Sequence, residues 1–436
     1  MEAGKLQINE LDMNLIEELR WRGLIRDIMP GTEEQLSKEI TVGYIGFDPT
    51  ADSLHIGSLV QIILLVHLQK AGHKPIALVG GATGLIGDPS GKKEERKLLT
   101  EEDVNYNVEC IRKQLSRFLD FNSGNNAAIL VNNLDWFKGI STINFLRDAG
   151  KYLTVSYLLS KGFIKDRMVQ DQEISFTEFN YILMQAYDFM WLFQNHNCKI
   201  QMGGSDQWGN ITAGTELIRK KLRGETFAFT CPLITKTDGS KFGKTEQGNV
   251  WLDASKTSPY QFYQFWLNAS DEDAEKWIKI FTFLEQDEIN SIIAEHKKDA
   301  GKRILQKRLA EDVTKFVHGD AALVEAIETT EKLFLNKNAP AENLSVEDME
   351  GLEGIVLIDV PKQALAEGID LVSFLVEAKI FPSKGEARKM IQGGGVSINR
   401  KKVESEKMKV ENSLLLHDRY ILIQKGKKNY YLVEAI

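Results

Sequence analysis

Ile40, Val42 and Tyr44 alternate with polar or small residues at the period of a β-strand, and the alternation stops at Asp48-Pro49. Proline removes a backbone donor and fixes φ, so the strand ends there. Three short oxygen-bearing residues suited to a turn or an N-cap follow, Thr50, Asp52 and Ser53. Apolar positions then return at helical spacing as Leu59, Ile62, Ile63, Val66 and Leu68, with Gly72 as the stop. The same switch of period recurs and predicts strands near 40–47, 75–80, 127–132 and 198–203, with another at 228–234. Helical stretches separate them, which implies βαβ units and a mainly parallel, Rossmann-like sheet of the α/β class. Ligands of such a sheet gather at the C-terminal ends of its strands.

The segment 175–194 has the length and apolar content of a buried helix. From about Ser258 the strand signals vanish, and helix-sized segments with acidic starts run to about 335. Residues 336–354 are acidic, contain Pro340 and lack periodicity, so they read as a linker. The pattern thus divides the chain into an α/β domain over 1–257, a helical domain over 258–335, a linker over 336–360 and a small α+β domain over 361–436.

A chain of 436 residues is long enough for two to four domains, and 43% hydrophobic with 27% charged residues is the balance of a soluble globular protein. No run approaches the ~18 apolar residues of a membrane span, and the charged N-terminus has no apolar signal core. Cys110, Cys198 and Cys231 are odd in number and far apart, which indicates neither a disulfide framework nor a metal cluster and makes a reducing cytoplasm the expected location. The net charge of −8 argues at first against nucleic acid as a partner. Its distribution reverses that. Residues 371–436 carry 13 Lys and Arg against 7 Asp and Glu, or +6, whereas the rest carries 41 against 55, or −14. A basic module at the end of an acidic body suggests RNA contact there.

Candidate chemistry collects at the strand ends. A strand, a glycine-bearing loop and a helix start at 44–58 form a site for an anionic group, with His55 able to donate to phosphate and Gly57 allowing close approach to the backbone. Asp88 follows a second glycine-rich loop at the same rim, with Lys92 and Arg96 beyond it. Within 175–194, Tyr181, Gln185 and Asp188 stand at i, i+4 and i+7 and share one face of an otherwise apolar helix. A buried carboxylate there requires a partner, a ligand or water. After the strand at 198–203, the GGSD run ahead of Gln207 reads on its own as a tight turn whose paired glycines permit close backbone approach. Residues 234–249 place three glycines among Lys236, Lys241 and Lys244, a basic loop suited to closing over polyphosphate.

These strings carry a family resemblance. HIGS at 55–58 resembles the HIGH signature of class I aminoacyl-tRNA synthetases, with Ser58 in place of the last histidine, and KFGKT at 241–245 resembles KMSKS about 190 residues later. GFDPTADSLHIG followed by ALVGGATGLIGDPSGK is similar to the bacterial tyrosyl-tRNA synthetases in particular. The resemblance implies that L-tyrosine is activated with ATP and transferred to the 3′ end of tyrosine tRNA. It implies Tyr44 and Asp188 at the phenolic hydroxyl, Tyr181, Gln185 and Asp88 at the α-amino group, and Asp48, Gln201 and Gln207 among the amino-acid contacts. It implies ATP contacts from Gly46, Asp48, His55, Gly57, Ser58, Gly204, Asp206, Lys241, Lys244 and Thr245. Thr50, His55, Lys92, Arg96, Lys241 and Lys244 would carry catalysis by stabilising charge, with Mg²⁺ arriving on ATP and no resident metal. A hydrogen-bonding pair at the phenol is a means of rejecting phenylalanine, and an enzyme of this class does so by about 10⁵ without editing.

The segment SKGEARKMIQGGGVSINRKKV resembles a small RNA-binding domain common at the end of these enzymes, and Lys384, Arg388, Lys389, Arg400, Lys401 and Lys402 would meet phosphate. The resemblance also implies a homodimer, with Phe176 and the apolar segments of 130–160 as its place. Two other readings stand beside this one, a tryptophanyl-tRNA synthetase and a non-catalytic RNA-binding protein on the same fold. The first has no use for a phenol-binding pair, and the second none for His55, Thr50, Lys241 and Lys244.

Overall fold

The computed structural model describes residues 14–89, 98–170, 173–239, 242–245, 248–334, 340–350, 352, 355–426 and 429–436. These fall into two compact units, one of residues up to 256 with 269–309, the other of 257–268 with 310–436.

The first unit is built on a six-stranded sheet of β1 (Asp27–Ile28), β2 (Val42–Phe47), β3 (Lys74–Val79), β4 (Ile129–Asn132), β5 (Cys198–Gly204) and β6 (Phe227–Cys231), in the order β1-β6-β5-β2-β3-β4. All neighbours are parallel except the short edge strand β1, which pairs antiparallel with β6. The chain runs β2, β3, β4 toward one edge and returns through β5 to the other side of β2. The strand order therefore reverses between β2 and β5, which leaves a crevice at their C-terminal ends. Strand β6 stops at Cys231, three residues short of the run predicted to 234, because Pro232 cannot donate to a ladder.

The helices follow the apolar pattern. Helix α1 (Ile56–Lys70) buries ten residues, among them Ile62, Ile63, Leu64 and Leu65. Helix α2 (Glu101–Leu115) starts in a capping box made by Thr100 and Asp103. Helix α3 (Phe176–His196) starts in another, from Ser175 and Glu178, and ends at Asn197 in the left-handed conformation. It packs with α4 (Trp208–Leu222) on the sheet face that carries Tyr44, and the Tyr44 and Phe189 rings meet at 5.4 Å. Helix α5 (Asp271–Phe281) also belongs to this unit.

In the second unit, helix Pro259–Leu267 packs on helix Asp320–Phe334, with Gln264 Nε2 donating to Thr330 Oγ1 at 2.8 Å. Its C-terminal part is a five-stranded sheet of β7 (Val356–Val360), β8 (Val396–Ile398), β9 (Lys401–Lys402), β10 (Tyr420–Lys425) and β11 (Asn429–Ala435), in the order β9-β8-β10-β11-β7. Helix α6 (Lys384–Gln392) packs beside it, and Leu371, Phe381, Ile391, Val396 and Ile423 share one core. The stretch that reads as a linker, 336–360, thus ends in an edge strand parallel to β11. Acidic composition hides it, but Val356, Ile358 and Val360 alternate as strand residues do.

Candidate active site

A cavity of about 560 Å³ opens at the β2/β5 switch point. From β2 and the loop after it come Tyr44, Gly46, Asp48, Thr50 and His55, and from the start of α1 Gly57 and Ser58. Helix α3 contributes Tyr181, Gln185 and Asp188 from the face expected of them. Strand β5 and the turn after it contribute Gln201, Gly204, Asp206 and Gln207, and Asp88 joins from the loop after β3. Lys244 is exposed and is not among the lining residues; it starts a small hairpin with Thr245, Gly248 and Asn249. Lys92, Arg96 and Lys241 lie outside the described residues, as does the Thr245 side chain.

Two groups that need a polar partner lie within each other's field at the floor. Tyr44 Oη is fully buried and makes no hydrogen bond among the described residues, while its hydroxyl is pushed well above the ordinary tyrosine range by burial and then by the Asp188 charge. Asp188 is 3% exposed, with Nε1 of Trp136 donating to Oδ1 at 2.8 Å and Nδ2 of Asn133 donating to Oδ2 at 3.1 Å. Burial pushes its carboxyl from 3.8 up to about 8, against the downward pull of the Asn133 and Trp136 bonds and with a further push from Asp48.

That shift has a stability consequence. The folded carboxyl holds its proton more tightly than the unfolded one, so its contribution is whole below about pH 4 and is lost as pH rises toward 8. Asp188→Asn does not titrate. The wild-type advantage over this variant in urea unfolding is therefore expected to shrink by on the order of a few kcal/mol from about pH 4 to pH 8, and a pH-independent difference would contradict the burial argument.

Asn133 escapes a reading of the sequence, yet it ties the floor together. It is fully buried, its Oδ1 accepts from the Ala82 N–H at 2.7 Å, and its Nδ2 donates to Thr83 Oγ1 at 3.0 Å as well as to Asp188. Thr83 in turn donates to Asp48 Oδ1 at 2.7 Å, and Tyr181 Oη donates to Asp48 Oδ2 at 2.7 Å. The polar pair Asn132-Asn133 closing an apolar strand is the signal that could have found it. A glycine is required beside this network, since a Cβ on Gly80 would come within 2.2 Å of both Asp48 Oδ1 and Thr83 Oγ1.

At the mouth, His55 caps α1, its Nδ1 accepting from the Gly57 N–H at 3.0 Å. Gly57 has a second reason to be glycine besides access to a ligand: a Cβ there would stand 2.7 Å from His55 Cε1. The two signature segments meet through backbone. Ile56 N–H donates to Val250 O at 3.0 Å, Val250 N–H to Gly243 O at 3.0 Å, and Leu252 N–H to Leu54 O at 2.8 Å. Helix α5 holds the other side of the basic loop, with Asp273 Oδ1 accepting from Thr237 N–H at 2.9 Å and Oγ1 at 2.6 Å, and Phe242 stacked 5.3 Å from Phe281. Among the described residues no group of three or more His, Cys, Asp or Glu is arranged to hold a metal ion.

Of the basic residues in the second unit, Lys384, Arg388, Lys389, Lys401 and Lys402 are exposed. Lys384 Nζ donates to Ser373 Oγ at 2.9 Å and Lys401 pairs with Glu342 at 2.9 Å. Arg400 differs: it is partly buried and donates to Lys332 O at 3.1 Å, so part of its guanidinium is spent on the protein itself.

A sheet reversed at this point, with a buried polar floor and a helix start at its mouth, is a frame able to hold a nucleotide or another anionic ligand. Residues 36–335 match the family described as tRNA synthetases class I (W and Y), and the chain belongs to it. Within that family it falls with the tyrosine–tRNA ligases. Residues 352–433 match their SYY-like C-terminal domain. The tyrosine–tRNA ligase of Parabacteroides distasonis is 56% identical over 429 residues, covering 97% of this chain and all of that one. That of Flavobacterium johnsoniae is 55% identical over 433 residues with the same coverage. Among solved structures, a C-terminally truncated mitochondrial tyrosyl-tRNA synthetase of Aspergillus nidulans is 28% identical with a TM-score of 0.67, covering 74% of this chain and 95% of that one.

Proposed function

We infer that this chain is a tyrosine–tRNA ligase that activates L-tyrosine with ATP to tyrosyl-adenylate and pyrophosphate, then passes the tyrosyl group to the 3′ end of tyrosine tRNA. The observation that carries the choice of amino acid is the buried Tyr44 hydroxyl, without a partner among the described residues and in the field of the Asp188 carboxyl. A phenol is both donor and acceptor, so it can donate to Asp188 and accept from Tyr44. Tryptophan has only an N–H donor and would leave Tyr44 unanswered. Phenylalanine would leave both groups unpaired, which is costly in a buried site.

At the other end, Asp48, Asp88 and the Tyr181 hydroxyl form a negative and polar corner for the ammonium of the amino acid, with Gln185 beside it. The carboxylate of tyrosine is already ionised and nucleophilic, so its attack on the α-phosphate needs no general base. It forms the carboxyl-oxygen–phosphorus bond as the α–β bridging bond breaks and pyrophosphate leaves. The protein's part is alignment and stabilisation of charge on phosphate. His55, Thr50 and the N-terminus of α1 supply this, and in this proposal the lysines of the basic segment join them. Asp206 is assigned to the ribose hydroxyls. Mg²⁺ comes with ATP as part of the substrate, held by phosphate oxygens and water.

The basic face of α6 with Lys401 and Lys402 is where the tRNA phosphates bind in this reading, and the cytoplasm is the place of work. No helix among the described residues is long and apolar enough to cross a membrane. A second copy of the chain is assigned to the exposed apolar side chains of this part of the chain, among them Phe176 and Val169, each 78% exposed, and Val155 and Ile143. Phe176→Asp is expected to turn a dimer into a monomer in sedimentation velocity at micromolar concentration, and an unchanged profile would place the interface elsewhere. The function itself is tested by ATP–pyrophosphate exchange across the twenty amino acids. Exchange with tyrosine alone is the expected result, and exchange with tryptophan or with none overturns the assignment.

A further inference from the structure

Asn210 lies in the first turn of α4, 2% exposed, behind the glutamines of the cavity. Its Nδ2 donates to Gln185 Oε1 at 2.9 Å and to Gln207 Oε1 at 3.2 Å. A carboxamide accepts only through oxygen and donates only through nitrogen, so two bonds from one asparagine nitrogen fix the sense of both glutamine amides. With its oxygen so held, Gln207 turns Nε2 toward two carboxylates, Asp88 Oδ2 at 2.8 Å and Asp206 Oδ2 at 3.2 Å. Gln185 Oε1 has a second lone pair, so it can accept from an ammonium group while Asn210 holds it. A half-turn of either terminal amide costs little in packing, because its oxygen and nitrogen are nearly the same size, yet it exchanges acceptor for donor.

We propose that Asn210 is a positioning residue for tyrosine activation: it sets the sense of the Gln185 and Gln207 carboxamides, and so presents an acceptor at Gln185 to the ammonium of the amino acid and keeps the Gln207 nitrogen donating to Asp88 and Asp206 beside it. The proposal rests on the tyrosine-activating reading above. It separates Asn210 from a packing residue, because substitution by a group of the same shape but opposite hydrogen-bonding sense must do more harm than truncation.

The test compares Asn210→Asp and Asn210→Ala with wild type in tyrosine-dependent ATP–pyrophosphate exchange, using the full chain. An ionised aspartate fills the same volume but cannot donate, so both glutamines must turn their nitrogens toward it, and Gln207 Oε1 then meets Asp88 and Asp206. Alanine removes the donor and forces no reversal. The tyrosine KM is expected to rise roughly tenfold or more in Asn210→Asp and roughly threefold in Asn210→Ala, with the ATP KM within about twofold of wild type. A packing role predicts the opposite order, since alanine leaves a hole. Tyrosine KM unchanged in both variants, a larger rise with alanine, or equal rises for tyrosine and ATP would overturn the proposal. If thermal unfolding shows that Asn210→Asp is not folded, Asn210→Ala decides alone, an unchanged tyrosine KM being the overturning result. Wild-type protein without tyrosine-dependent exchange would defeat the underlying reading instead, whereas active wild type with indistinguishable variants defeats only the role of Asn210.

Discussion

Asp188→Ala is expected to lose tyrosine-dependent ATP–pyrophosphate exchange, with kcat/KM for tyrosine lower by about 10²–10³ and the KM for ATP little changed. Three effects act together. The substrate phenol would lose the acceptor proposed for it. The Trp136 Nε1–H and the Asn133 Nδ2–H lose the carboxylate oxygens they reach at 2.8 and 3.1 Å, and stay buried. The Tyr44 hydroxyl, without a partner among the described residues, loses the nearby carboxyl that a bound phenol would bridge to. Phenylalanine uses none of these groups, so its poor activation should fall much less. Selectivity for tyrosine over phenylalanine, measured as the ratio of the two kcat/KM values, is therefore the sharpest readout. A variant that kept this ratio would show that the phenol is recognised somewhere else.

Removal of residues 355–436 is expected to separate the two half-reactions. Aminoacylation of tyrosine tRNA should fall by about 10² or more, because the exposed basic groups that would neutralise phosphates go with the segment. Pyrophosphate exchange should stay within about threefold of wild type, since the described residues that line the cavity all belong to the unit of 1–256 and 269–309. The removed segment carries its own apolar core, formed by Leu371, Phe381, Ile391, Val396 and Ile423 among others. Both activities are measured on the same preparation. Loss of both, in protein that still melts cooperatively, would overturn the division of labour. Raising salt should mimic the truncation for charging and spare exchange, because the proposed contacts of exposed cations to phosphate would be screened and a buried pocket would not.

Much of the fold and of the site is legible in the chain itself. The period change at Asp48-Pro49 locates β2 and α1 because proline and helix-start chemistry act locally, and they need no distant partner to be read. Tyr181, Gln185 and Asp188 can be placed on one face because helical geometry fixes relative direction over seven residues. The C-terminal strand Val356–Val360 reads as linker for the converse reason: the charged composition around it outweighs its short alternation, and only pairing with β11 makes it a strand. Its edge position leaves little burial to mark it.

Sequence alone determined the class of fold, the face of α3 that lines the cavity, the two signature segments and the charge contrast between body and tail, since each follows from local spacing, dihedral limits or residue counts. Tertiary structure alone decided that Asn133 and Trp136 hold Asp188, that Asn210 faces Gln185 and Gln207, that Gly57 must clear the His55 ring, and that Arg400 turns partly inward. Most of these are contacts between elements far apart in the chain, 55 residues for Asn133 and Asp188, and the sense of a hydrogen bond across such a gap depends on strand order and helix packing rather than on any periodicity.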